Sequence, residues 1–166
     1  CESVHPHALV NQYTPLHLAA GKGHEVVAER LLGAGANLEA VDLHQTTPLH
    51  LAAERAMRPW WGSCWKRAMG RWWGSCWGAG ANLEAVDVDQ CTPLHMAAQG
   101  GHEAVVGHAG ANLEAVGKCQ RTPLHWAARE GHVAVVGQLL GANLAAVNEN
   151  QYTPLHPQAP TWRQSM

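Results

Sequence analysis

Thr14-Pro-Leu-His-Leu-Ala-Ala-Gly-Lys-Gly-His-Glu-Val-Val-Ala-Glu-Arg-Leu-Leu-Gly-Ala-Gly-Ala-Asn-Leu-Glu-Ala-Val-Asp42 reads as two short helices followed by a return loop. Thr14 can cap a helix with its hydroxyl, and Pro15 suits the first helical position because its missing N–H has no intrahelical partner there. Leu16, Ala19 and Ala20 give a narrow apolar face of small residues, so a neighbouring helix can come close. Gly23 breaks this helix. Val26, Val27, Leu31 and Leu32 recur at helical spacing and mark a second helix, which Gly35 ends. The stretch from Asn37 to Thr46 makes an extended turn. One such unit cannot bury its own apolar face, so the reading demands stacked copies.

The copies are present. Thr-Pro-Leu-His begins at Thr14, Thr47, Thr92, Thr122 and Thr153, at intervals of 33, 45, 30 and 31 residues. Gly-Ala-Asn-Leu precedes four of these signatures, at Gly35, Gly80, Gly110 and Gly141. The period and the signature resemble the ankyrin repeat family. The resemblance implies an all-α solenoid of stacked helix-turn-helix units with short hairpin turns, irregular in its centre. It divides the chain into a partial repeat or tail at 1–10, repeat 1 at 11–43, repeat 2 at 44–88, shortened repeats 3 and 4 at 89–118 and 119–149, and a truncated repeat 5 at 150–166. The family usually has Gly two residues before the signature Thr. Here Gln12, Gln45, Gln90, Gln120 and Gln151 stand there. If the turn needs positive φ, each Gln costs roughly 1 kcal/mol relative to Gly.

Repeat 2 is interrupted. Its interval is 12 residues longer than the first, and a Trp-rich insert at 55–77 replaces the second helix. Arg55-Ala-Met-Arg-Pro-Trp-Trp-Gly-Ser-Cys-Trp65 and Arg67-Ala-Met-Gly-Arg-Trp-Trp-Gly-Ser-Cys-Trp77 agree at nine of 11 places and hold six of the eight tryptophans. Trp and Met each have a single codon, which constrains back-translation. Read from the third nucleotide, the first copy can spell Gly-His-Glu-Ala-Val-Val-Gly-Gln-Leu-Leu, close to Gly131–Leu140. The insert therefore reads as a duplicated second helix out of frame, with the frame restored at Gly78. Later units are damaged too. Repeat 3 lacks the Gln-Leu-Leu of repeat 4, a loss of two leucines expected to be buried and to cost at least roughly 2–5 kcal/mol. Repeat 4 is two residues short at the helix end, and repeat 5 stops after His156.

Composition narrows the function. A formal net charge of −2 argues neither for nucleic acid nor for an acidic tail. No run of 18 apolar residues offers a spanning helix. A first residue other than Met raises the expectation of a fragment or a processed product. The five cysteines form no CxxC pair and fit neither a zinc finger nor a disulfide framework. They read as free thiols in a reducing, intracellular and cytoplasmic setting, with Cys64 and Cys76 as exposed thiols of the insert. Of the 12 histidines, eight belong to the repeat: the signature His17, His50, His95, His125 and His156, and the helix-opening His24, His102 and His132. The resemblance gives the signature His structural hydrogen bonds near the turn. No metal, cofactor, small-molecule substrate or catalytic residue is indicated.

The leading reading is a non-catalytic scaffold that binds an unidentified protein through the concave face of its repeats. Two alternatives stand beside it. One is a decayed or mispredicted ankyrin gene product without independent function. The other is membrane-surface binding by the Trp- and Arg-rich insert. In the family, partners are met by turn tips and by the exposed side of the first helices. Carried over by position, this gives Tyr13, Lys22, His44, Thr46, Asp89, Cys91, Met96, Arg121, Trp126, Arg129, Glu130, Asn150 and Tyr152. Trp126 with Arg121 and Arg129 is the expected hot spot, since Trp and Arg dominate measured hot spots.

Overall fold

A computed structural model describes residues 12–55, 74, 76, 78–107 and 110–155. Repeat 5 beyond Leu155, the tail at 1–10 and most of the insert lie outside the described residues, and with them the membrane-binding reading. Among the described residues the regular structure is helical. Four first helices share one length: α1 (Pro15–Lys22), α3 (Pro48–Arg55), α4 (Pro93–Gly100) and α6 (Pro123–Glu130). Second helices are α2 (Glu25–Gly33), α5 (Glu103–Val106) and α7 (Val133–Gln138). The first helices pack side by side in the order α1, α3, α4, α6, and α2, α5 and α7 each lie against their own first helix. This is the stacked all-α solenoid that the period implies.

The local chemistry follows the sequence. Thr14 sits in extended conformation before Pro15, and its hydroxyl oxygen accepts from the His17 N–H at 3.3 Å. Gly23, Gly101 and Gly131 end their first helices in the left-handed conformation, at φ 68°, 74° and 77°. Only glycine adopts this without strain, and it lets the chain reverse directly into the second helix. The expectation about the turns is met: Gln12, Gln45, Gln90, Gln120 and Gln151 all have φ between 52° and 63°.

One apolar core runs through the stack, built from Leu16, Leu49, Leu94 and Leu124 and from the alanine pairs of α1, α3 and α4 with Ala127 of α6. Alanine keeps the helix-to-helix distance short, and one leucine per unit fills the layer between. Each repeat is also tied to the next by polar groups. The Glu39 carboxylate accepts from the Asn82 N–H at 2.8 Å, Glu84 accepts from Asn112 at 2.7 Å, and Glu114 accepts from Asn143. Turn tips pair as well: Val88 N–H donates to the His44 carbonyl, Lys118 to Asp89 and Glu149 to Cys119.

Two expectations need correction. Cys76 is not an exposed thiol: it is fully buried, and burial pushes its thiol pKa up to about 12. Its carbonyl accepts from the Ala81 N–H at 3.0 Å, as the Leu31 carbonyl accepts from Ala36 at 2.9 Å. The end of the insert thus falls where the second helix of repeat 1 puts a leucine. Second, the Leu139–Leu140 pair does not bury two leucines. Leu139 is fully buried while Leu140 is 55% exposed, because the shortened unit closes through a 3₁₀ turn at Leu139–Gly141.

Candidate protein-binding surface

The signature histidines fix the platform on which the surface is built. In His17 the Nδ1 atom accepts from the Thr14 N–H at 3.1 Å, so the ring proton sits on Nε2, which donates to the Thr46 carbonyl at 3.0 Å. His50, His95 and His125 repeat the arrangement, reaching the carbonyls of Cys91, Arg121 and Tyr152. A protonated ring would turn the Nδ1 acceptor into a donor facing another donor. Burial holds His50, His95 and His125 below the usual histidine pKa, which keeps them neutral. The four rings are thus structural pins between neighbouring units. The ring of Tyr13 stacks on His17 at 5.7 Å and extends this platform to the surface.

The turn tips are held by carboxylate or amide side chains. Asp42 Oδ1 accepts from the N–H groups of His44 and Thr46, at 2.8 Å each, and from the Thr46 hydroxyl at 2.6 Å. Burial alone would raise the Asp42 pKa, but these hydrogen bonds hold it below the ordinary carboxylate value. Asp87 does the same for Asp89 and Cys91, and Asn148 for Asn150 and Tyr152. Gly117 has no side chain for the role. There the turn tightens into a 3₁₀ segment at Lys118–Gln120, with Cys119 also at positive φ.

Among the expected binding residues, His44, Asp89 and Asn150 stand exposed on these tips, and Lys22 and Glu130 are exposed at first-helix ends. Tyr13 and Tyr152 are each 37% exposed. Thr46 is half-buried because it serves the Asp42 network. Cys91 is a correction: only 6% of it is exposed, and burial pushes its thiol up to about 11. It occupies the same register as Thr46, so its backbone is tied to Asp87 and His50, and its Sγ lies 3.6 Å from the Asp89 carbonyl. The Asp89 carboxylate is engaged by Lys118 at 2.7 Å, a partner that position-by-position carry-over missed. The repeat-to-repeat glutamates were missed as well. Their signal was in view, since Glu39, Glu84 and Glu114 follow the first three of the four Gly-Ala-Asn-Leu blocks.

Four expected residues come together. Trp126 on α6 lies between two guanidinium groups, with Arg121 at 5.3 Å and Arg129 at 5.4 Å from the ring centroid. Arg129 also pairs with Glu130 at 3.6 Å. The indole is partly buried against the core, and its Nε1–H is enclosed without a hydrogen-bond partner. Arg121 belongs to the turn before α6 and Arg129 to the last turn of α6, so both ends of the helix bring a guanidinium to Trp126. Met96 holds the equivalent place on α4 and is half-buried. Leu18 and Leu51 complete the row, the first half-exposed and the second buried.

The ankyrin repeat family matches residues 89–118 and 119–149, and the family of three-copy ankyrin repeats matches residues 2–58. A stretch of 44 residues is 52% identical to human NF-kappa-B inhibitor alpha, which covers 26% of this chain. The match spans 14% of the length of that relative. With the stacked helices and the inter-repeat histidines, these matches define a repeat solenoid of the interaction-module class. The chain belongs to the ankyrin repeat family. Ankyrin repeats generally mediate protein–protein interaction. Among the described residues, no helix is long and apolar enough to cross a membrane.

Proposed function

We propose that the chain is a non-catalytic scaffold that holds a protein partner on the concave face formed by its first helices and turn tips. The observation that carries this is Trp126, a large aromatic kept partly exposed between Arg121 and Arg129 on the first-helix row. Trp and Arg are the residue types that dominate measured binding hot spots. Tyr13, Lys22, His44, Thr46, Asp89, Met96, Glu130, Asn150 and Tyr152 extend the contact along the row and the turns. The buried Cys91 supports the turn beneath. No cofactor, nucleic acid or small-molecule substrate is needed for this role. The free thiols of Cys76, Cys91 and Cys119 fit a reducing, cytoplasmic setting.

Partner affinity before and after Trp126→Ala tests the reading. The expected loss is roughly 2 kcal/mol or more, with the helical signal and melting midpoint retained. Unchanged affinity would remove this face. A second reading, a decayed gene product, is favoured by the four-residue α5 and by cysteine in a leucine position at Cys76. Thermal melting followed by circular dichroism separates the two. A scaffold melts cooperatively as a helical monomer, whereas a decayed product lacks a cooperative transition.

A further inference from the structure

We propose that the surface around Trp126 selects a partner segment bearing carboxylate side chains, an Asp- or Glu-containing stretch that runs across α6. The proposal rests on the scaffold reading above and adds the chemistry of the partner. A guanidinium stacked on an aromatic ring uses its flat face and leaves its N–H edge free for an acceptor in its own plane. Arg121 has its guanidinium carbon over the Trp126 ring, 5.3 Å from the centroid, and makes no ion pair among the described residues. Of the neighbouring acids, Asp89 is held by Lys118, Glu130 lies against Arg129, and Glu149 of the next turn lies against Cys119. The cluster therefore offers oriented donors with one cation unneutralised, beside an apolar ring and the half-buried Met96. A carboxylate answers the Arg121 edge with two parallel hydrogen bonds, and the aliphatic part of the same segment covers the indole.

The test is a selection of displayed random peptides on the full chain, followed by measured affinities for individual winners. Enrichment in Asp and Glu is expected. Arg121→Glu should weaken those peptides about tenfold or more, raised salt should weaken them too, and Arg30→Glu on the outer helix α2, outside the proposed surface, should leave them unchanged. A thermal melt of each variant checks that the stack is intact, and Arg121 is a partly exposed turn residue whose replacement leaves the core untouched. Peptides that need Trp126 but carry no acidic bias would overturn the carboxylate proposal and leave the scaffold reading standing. Acidic peptides indifferent to Arg121→Glu would overturn it equally. Winners that bind as well to Trp126→Ala would remove both readings at once.

Discussion

The first helices and the second helices derive from the same repeated unit, yet they differ in regularity. α1, α3, α4 and α6 each run eight residues, whereas α2, α5 and α7 run nine, four and six. In the first-helix row Leu16, Leu49, Leu94 and Leu124 are all essentially inaccessible, and every signature histidine in the described residues bonds to the following unit. In the second-helix row Val26 is 67% exposed and Val133 is 79% exposed. Residues in the first row have neighbours on three sides, so a change there leaves a cavity or an orphaned polar group. The outer row faces water on one side, so shortening it exposes backbone that water can satisfy. The stack keeps its period because the row that sets the spacing has been preserved.

Leu94→Ala in the first row should cost about 2–5 kcal/mol, while Val27→Ala on the half-exposed face of α2 should cost less than about 1 kcal/mol. Urea melts of the two variants measure the gap, and equal losses would erase the distinction between rows. Inserting Gln-Leu-Leu after Gly107, to give α5 the length of its counterpart, should add about 2 kcal/mol. That is the value of one buried leucine, since only Leu139 of the pair in repeat 4 is covered. An unchanged midpoint would mean that the outer row gains nothing from completion. Gln45→Gly and Gln90→Gly should each stabilise by about 0.5–1 kcal/mol by relieving positive φ, and their double variant should be nearly additive. A loss of stability would show that the glutamine side chains hold the turns in place.

Much of this was legible in the residues. Thr14, Pro15 and Gly23 announce the start and stop of α1 by their backbone chemistry, and the spacing of the signatures announces the stack. Trp126 with its two arginines was legible because the family pattern puts the residue after the signature His on the exposed side of the helix. Cys91 was misread because register alone cannot tell a side chain that points outward from one folded under the turn. The fate of Leu140 was hidden for a related reason: a two-residue deletion shifts the helix end into a 3₁₀ turn and rotates one of two adjacent leucines to solvent. Cys76 was misread because its neighbours have no repeat pattern, and only the resumed Gly78-Ala-Gly-Ala-Asn82 block fixes its place in the stack.

The histidine pins reach very different distances along the chain. His17 bonds 29 residues ahead, His50 41, His95 26 and His125 27, yet each contact has the same geometry. Lengthening one such closure from 29 to 41 residues adds only about 0.3 kcal/mol of loop entropy. The pitch of the scaffold is thus decoupled from the amount of chain between its pins. The outer side of repeat 2 becomes a port where a reporter domain or a foreign epitope can be spliced in while the ruler formed by the first helices keeps its graduations.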